Sequence, residues 1–277
     1  SPEELLDVLG AAQEIYTSRG VTTAQEGATH KADLEFLLRA ADEGHLVIDV
    51  VSLPIIFDVP ALVREYAPDF RGGTMELPDT AAQSFGRYRN GLKLAGIKMV
   101  LDGSPQGKTA FWTEPLLTGG PEGEEDYVGA PVVPPEMVTA AVAEFVDKGI
   151  QVFAHANGDA AIDMIIDALR AAGVTAADGR RDVVIHSQFV RPDQLDAYAE
   201  LGMTPSFFTS HTFFWGDVHV ENTGPERAGF ISPVAAAYER GLRCSNHSDF
   251  SVTPIDPFLM MQTAILRRSR AGVVLGP

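Results

Sequence analysis

Apolar positions in this chain recur in two rhythms, and the rhythms alternate. Over residues 3–19 the apolar side chains are Leu5, Leu6, Val8, Leu9, Ile15 and Tyr16, near the period of a helix, and Gly20 ends the run. Val21-Thr22-Thr23-Ala24 then predicts a short buried strand. A second helical stretch covers 32–41 and stops at Gly44. The β-branched run 46–51 predicts a second strand.

The same alternation continues to the end. Residues 60–70 predict a helical turn or two before a Gly/Pro-rich connection. The run 96–101 predicts a strand with Lys98 inside it, and 103–133, dense in Gly and Pro, predicts a long loop. Strands are then expected at 150–155, 183–186, 204–209 and 242–245. The helices between and after them are expected at 135–148, 160–172, 192–201, 233–240 and 257–268. Strands separated by crossover helices imply a parallel sheet. Periodicity alone leaves a doubly wound sheet and a (β/α) barrel both open.

Polar residues at the strand ends favour the barrel, whose catalytic groups sit at the carboxyl ends of strands. The strand with Lys98 runs into Asp102, and four later strands run into His155, His186, His211 and the pair His247 and Asp249. Each has an ordinary reading. A lone strand-end histidine is commonly structural, Asp159 could cap a helix, and Lys98 could pair with Asp102. Convergence at one end of one sheet favours a single site. Neutral imidazole and carboxylate suit Zn²⁺ and its neighbours. Lysine joins such a set once CO₂ converts its neutral amine to a carbamate, and burial in a strand favours the neutral amine.

Composition narrows the partners. Of 277 residues, Lys and Arg supply 21 and Asp and Glu 38, a formal net charge of −17. So acidic a chain has no electrostatic footprint for nucleic acid or anionic lipid. One cysteine, Cys244, excludes an intrachain disulfide and a Cys-type zinc cluster. With no long apolar span and an acidic, helical N-terminus, the expectation is a cytoplasmic protein outside the membrane. No G-x-G-x-x-G follows an early strand and no G-x-S-x-G occurs, which argues against a dinucleotide-binding fold and an α/β-hydrolase.

The stretches GIKMVLDGSPQGKTAFWTEPL (96–116), HANGDAAID (155–163), VIHSQFVRPDQLDAYAELGMTPSFFTSHTFFWGD (184–217) and NHSDFSVTPIDP (246–257), with SRGVTTAQEG (18–27), carry a resemblance. In that order they resemble the amidohydrolase superfamily, most closely its YtcJ-like branch, amidohydrolase family 3, which includes N-substituted formamide deformylases. The resemblance covers nearly the whole chain and implies an α/β fold, a (β/α)8 TIM-like metal-dependent hydrolase barrel over 1–277, with long loops at about 54–90 and 103–133. It implies metal ligands at Lys98 (carbamylated), His155, His186 and Asp249. Asp249 and His211 would be catalytic, with His211, Trp215, Asp217, His247 and Asp102 facing substrate. The expected cofactor is a divalent metal, zinc first, one or two per site, and the expected reaction is hydrolysis of an amide or other non-peptide C–N bond of a small molecule.

One departure is large. The superfamily's first strand carries a His-x-His pair, and the seven histidines here, His30, His45, His155, His186, His211, His219 and His247, include none. The flanking β-sandwich is absent too. The expectation is therefore an incomplete barrel, an internal fragment beginning after strand one, with metal occupancy and activity of this polypeptide in question. Exposed sheet edges would favour a homo-oligomer. The alternative reading is a catalytically inactive barrel acting as a binding or regulatory protein.

Overall fold

The computed structural model describes residues 2–58 and 86–276. The helical turns expected at 60–70, and most of the loop expected at 54–90, lie outside the described residues. The chain divides into two compact units, residues 1–99 with 147–153, and residues 100–146 with 154–277.

The first unit contains α1 (Pro2–Thr17), β1 (Thr23–Thr29), α2 (Lys31–Asp42), β2 (Asp49–Pro54), β3 (Tyr88–Arg89), β4 (Leu92–Leu94) and most of β5 (Ile97–Val100). Four strands pair in the order β1-β2-β4-β3, with β1–β2 and β2–β4 parallel and β3–β4 antiparallel. Just past β2, Ile55 bridges Lys98 of β5 in parallel. Ile97 N in turn donates to Gln151 O at 2.9 Å. This close approach requires Gly96, because a Cβ there would lie 2.0 Å from Gln151 O. The core is Leu34, Leu37 and Leu38 of α2 with Leu53, Leu92, Leu94, Ile97 and Met99. Gln13 of α1 ties the turn before β2, donating to His45 O (3.0 Å) and accepting from Val47 N (2.7 Å).

The hairpin β3–β4 begins at the last residues of the stretch expected as a loop at 54–90. Its turn is Asn90-Gly91, both at positive φ (50° and 82°), the combination that two-residue hairpin turns select. The strands are so short that their alternation carries almost no signal.

The second unit takes up α3 (Pro135–Asp147), the end of β6 (Val152–Ala156), α4 (Asp159–Ala171), β7 (Val183–His186), α5 (Pro192–Leu201), β8 (Thr204–Phe207), α6 (Ser210–Gly229), α7 (Val234–Glu239), β9 (Ser245–Asn246) and α8 (Pro257–Leu266). Strands pair in the order β5-β6-β7-β8-β9, with β7–β8 and β8–β9 parallel. Consecutive strands that neighbour each other across intervening helices give the (β/α) barrel topology expected from sequence. Residues 103–133 contain no helix or strand, as expected. At α8 the local chemistry is plain: Asp256 accepts from Phe258 N and Leu259 N, and Pro257 occupies the first turn.

Helix α6 is the main element the sequence pattern misses. Gly216, Gly224 and Pro225 interrupt its signal, and the helix does break at Gly224 (φ 81°). It is also packed on several sides, burying His211, Thr212, His219, Asn222 and Thr223, so no polar face appears. The expected strand over 204–209 ends at Phe207, which puts His211, Trp215 and Asp217 on a helix. The strand expected over 242–245 is likewise only Ser245–Asn246. Beyond α8, the buried Arg267 guanidinium donates to the carbonyls of Leu275 (2.8 Å), Ser232 (3.2 Å), Gly229 (3.0 Å) and Ile231 (2.8 Å). A cation there meets carbonyls at the negative end of α6, so its charge is compensated without a carboxylate.

Candidate active site

Asp102 follows β5 and is fully buried. Its carboxylate gathers three amides from two distant segments: Asn157 N to Oδ1 (2.9 Å), and Gly158 N (2.7 Å) and Phe111 N (3.0 Å) to Oδ2. Oδ1 also lies 3.6 Å from His155 Nε2. Burial pushes this carboxyl up to about 7, while the amide donors pull the other way. With its oxygens so occupied, Asp102 positions the ends of β5 and β6.

The HANGD segment explains itself physically around this carboxylate. A Cβ on Gly158 would sit 1.9 Å from Phe111 O, so only glycine lets the long loop cross here. Asp159 does not cap its own helix. It accepts from Thr113 N (3.0 Å) and from Arg191 (3.1 Å), joining the loop and the start of α5 to α4. Gly158→Ala is expected to cost about 3 kcal/mol through overpacking, read as a lowered thermal midpoint. An unchanged midpoint would mean that the loop moves aside freely.

The histidines form a connected aromatic group in the second unit. His155 Nδ1 and His186 Nε2 face each other at 2.9 Å, with ring centroids 4.4 Å apart. His247 lies 5.0 Å from the His186 ring and 4.9 Å from Phe208. Phe208 packs edge-on to His211 at 4.5 Å, and His211 against Trp215 at 4.5 Å. His211 Nδ1 then meets His219 Nε2 at 3.2 Å. Burial drives His211 well below the ordinary histidine range, helped by His219 and His247, and drives His219 down to about 3.

Three of the nine non-glycine residues at positive φ among the described residues lie at or just after the ends of β7 and β9: His186 (φ 72°), Ser187 (φ 46°) and Asp249 (φ 48°), a conformation that costs on the order of 1–3 kcal/mol each. At β7 the surroundings enforce it: Ser187 N donates to Ala156 O (3.1 Å) and Phe189 N to Asn157 O (2.9 Å). The Ser187 hydroxyl is hydrogen-bonded to Tyr198 Oη at 2.9 Å.

The other predicted residues are placed as follows. Asp249 is exposed, in the turn after β9, where its carbonyl accepts from Val252 N. Asp217 accepts from the Ser269 hydroxyl at 3.0 Å. Lys98 belongs to the first unit, where it is buried in the middle of β5. Among the described residues, no three His, Cys, Asp or Glu side chains come together as a metal-binding group. The donor pair His155–His186 nonetheless fits a divalent ion. Metal–nitrogen bonds of about 2.0–2.1 Å in tetrahedral geometry place two nitrogens about 3.3 Å apart, a few tenths of an ångström wider than the observed pair. On the far side of the His155 ring, Nε2 lies 3.4 Å from Gly103 O, a backbone carbonyl of the kind that commonly orients a ligating imidazole.

Sequence reasoning missed Asn157 and His219. Asn157 Nδ2 lies 3.0 Å from His155 Nε2 and donates to Gly103 O at 2.9 Å. His219 had a signal available: His211, Trp215 and His219 follow at intervals of four, one face of a helix, legible only once that stretch is known to be helical. A cavity of about 340 Å³, lined among others by Asp159, Phe189, Arg191 and Arg227, includes none of the predicted site residues. Phe189 links it to the histidines, edge-on to His219 at 5.4 Å.

Comparison with known proteins agrees with this topology. Residues 1–277 match the family model described as amidohydrolase family. Over 182 residues, 64% of this chain and 32% of the relative, the sequence is 26% identical to YtcJ of Bacillus subtilis (strain 168). Over 160 residues, 56% of this chain and 29% of the relative, it is 27% identical to the N-substituted formamide deformylase of Arthrobacter pascens. An uncharacterized metal-dependent hydrolase from Pyrococcus horikoshii OT3 superposes with a TM-score of 0.78 at 23% identity, covering 99% of this chain and 50% of that one. The chain thus spans about a third of the length of these curated relatives and half of that solved structure. With its barrel topology, the full-length family match and these likenesses, the chain belongs to the amidohydrolase family.

Proposed function

We propose that this chain is the core of a metal-dependent hydrolase that cleaves an amide or other non-peptide C–N bond of a small molecule. The observation that carries the reading is the pair of imidazole nitrogens 2.9 Å apart at the ends of β6 and β7, beside strained backbone at His186 and Ser187. Membership of the amidohydrolase family supports it, as do the names of the deformylase relative and the metal-dependent hydrolase structure. His155 and His186 would hold a divalent cation, zinc by donor chemistry, and the family resemblance adds Asp249 of the same unit to that set.

Such a cation, when bound, lowers the pKa of a coordinated water to about 7 and polarises a carbonyl. The chain's own residues then handle protons and position. Asp249 accepts the proton from the attacking water and returns it to the leaving nitrogen, a general acid–base role. His211 donates to the carbonyl oxygen, and Trp215 backs the His211 ring. Asp102 and Asn157 hold His155 in place.

The test is hydrolysis of a panel of N-substituted formamides and N-acyl amines by the whole protein, with bound metal measured by elemental analysis. Asp249→Asn is expected to lower kcat by about 100-fold or more, within the range for losing an acid–base group. Unchanged turnover in that variant would reject the assignment. A purified protein with neither metal nor turnover on any of these compounds would favour the non-catalytic reading.

A further inference from the structure

The hydrogen bond between His211 and His219 carries a consequence for the reaction proposed above. The two ring planes are 12° apart and their centroids 5.4 Å apart, while Nδ1 of His211 and Nε2 of His219 are separated by 3.2 Å. The two ring radii and that contact fill the centroid separation, so both nitrogens lie on the line joining the rings. The rings are therefore edge to edge and coplanar, with each nitrogen's in-plane orbital aimed at the other. This is the geometry of an N–H···N hydrogen bond, not of a face-to-face stack.

Such a bond holds one hydrogen. Both residues are buried, with side chains enclosed in the second unit, so both rings are neutral, and an imidazolium facing an imidazolium is excluded. Two arrangements of the hydrogens remain. If His211 donates, both rings carry hydrogen on Nδ1. If His219 donates, both carry it on Nε2, the nitrogen that neutral histidine ordinarily prefers. The second arrangement therefore gives both rings their ordinary tautomer.

We propose that His219 is a positioning residue that donates Nε2–H to Nδ1 of His211, fixing His211 as the neutral tautomer with its hydrogen on Nε2. The tautomer of a histidine is set by the bond its other nitrogen makes. So fixed, His211 offers substrate a hydrogen-bond donor and no basic nitrogen. It can polarise a carbonyl or stabilise charge developing on its oxygen, and it cannot serve as the general base. That assigns proton abstraction elsewhere, consistent with Asp249 in the proposed function, on which this catalytic consequence rests. The helix supplies the geometry: residues eight apart on α6 lie two turns along one face, with Trp215 between them against the His211 ring.

The first readout needs no activity. Long-range ¹H–¹⁵N correlation spectra of the histidine-labelled protein, with His211 assigned by its loss in His211→Gln, are expected to show His211 with hydrogen on Nε2 alone. Hydrogen on Nδ1 would overturn the proposal whether or not the protein is a hydrolase. In His219→Leu the His211 signals are expected to shift toward a mixture of tautomers. In His219→Gln, whose amide can donate from nearly the same place, the Nε2 form is expected to persist. Unchanged His211 tautomer in a folded His219→Leu variant would also overturn it. Kinetics on N-substituted formamides test the consequence: kcat falls at least 10-fold in His219→Leu with KM within about 2-fold, and His219→Gln recovers most of it. If the tautomer result holds while no formamide or N-acyl amine is hydrolysed by the unmutated protein, the functional reading fails and the positioning role stands.

Discussion

Asp102→Ala is expected to destabilise the protein by at least about 3 kcal/mol, because it strands three buried amide donors, each costing about 1–3 kcal/mol when left unpaired. The donors belong to Phe111, Asn157 and Gly158, so the damage reaches both the long loop and the end of β6. His155, 3.6 Å from the same carboxylate, loses its neighbour as well. Asp102→Asn should fall between: one oxygen still accepts, but the amide nitrogen then faces a backbone donor. Urea midpoints of the three proteins check the order. An alanine variant as stable as the parent would show that water reaches these amides, and that Asp102 is not what joins the two segments.

Acid is expected to weaken the fold well before ordinary carboxylates protonate. His219 is pushed down to about 3 and His211 well below its ordinary value by burial. In the unfolded chain both would titrate near 6.5. Between those values the unfolded state binds more protons, so stability rises with pH and is lost as pH falls below about 6.5. Each histidine contributes a slope of about 1.4 kcal/mol per pH unit. Asp102, raised to about 7, has the opposite sign, since its folded form binds the extra proton between its two values. Two histidines against one carboxyl leave a net loss of about 2 kcal/mol from pH 6.5 to 5. Urea titrations at pH 5, 6 and 7 measure it. The double variant His211→Gln, His219→Gln should flatten or reverse the slope, and an identical slope would assign the acid response to other groups.

The sequence was most legible where helices and strands alternate cleanly. From β6 to α5 the expected elements and the observed ones differ by a residue or two, because glycine and proline punctuate each end: Pro192 begins α5 and Gly202, at φ 68°, ends it. Legibility failed at β3–β4, too short for alternation to register. It also failed at α6, where internal Gly and Pro and burial on several sides erased the helical rhythm. The site was half legible. His155 and His186 were readable because a strand end is a readable place. His219 and Asn157 meet His211 and His155 through contacts that appear only when a helix or a turn is known. Asp102 was noticed for its charge, but its occupation by three amides depends on Phe111 and on Asn157 and Gly158, 9 and about 55 residues away.

The passage of residues 110–112 over the HANGD turn sets the terms for loop transplantation. Two contacts there tolerate no side chain: Gly158 against Phe111 O, and Gly129, φ 71°, against Ala110 O. A grafted segment from another barrel should therefore be spliced after Trp112 and before Gly129, leaving those four residues in register. Cutting outside that window exchanges the scaffold along with the variable sequence, and such chimaeras would fail as folded proteins before their selectivity could be assayed.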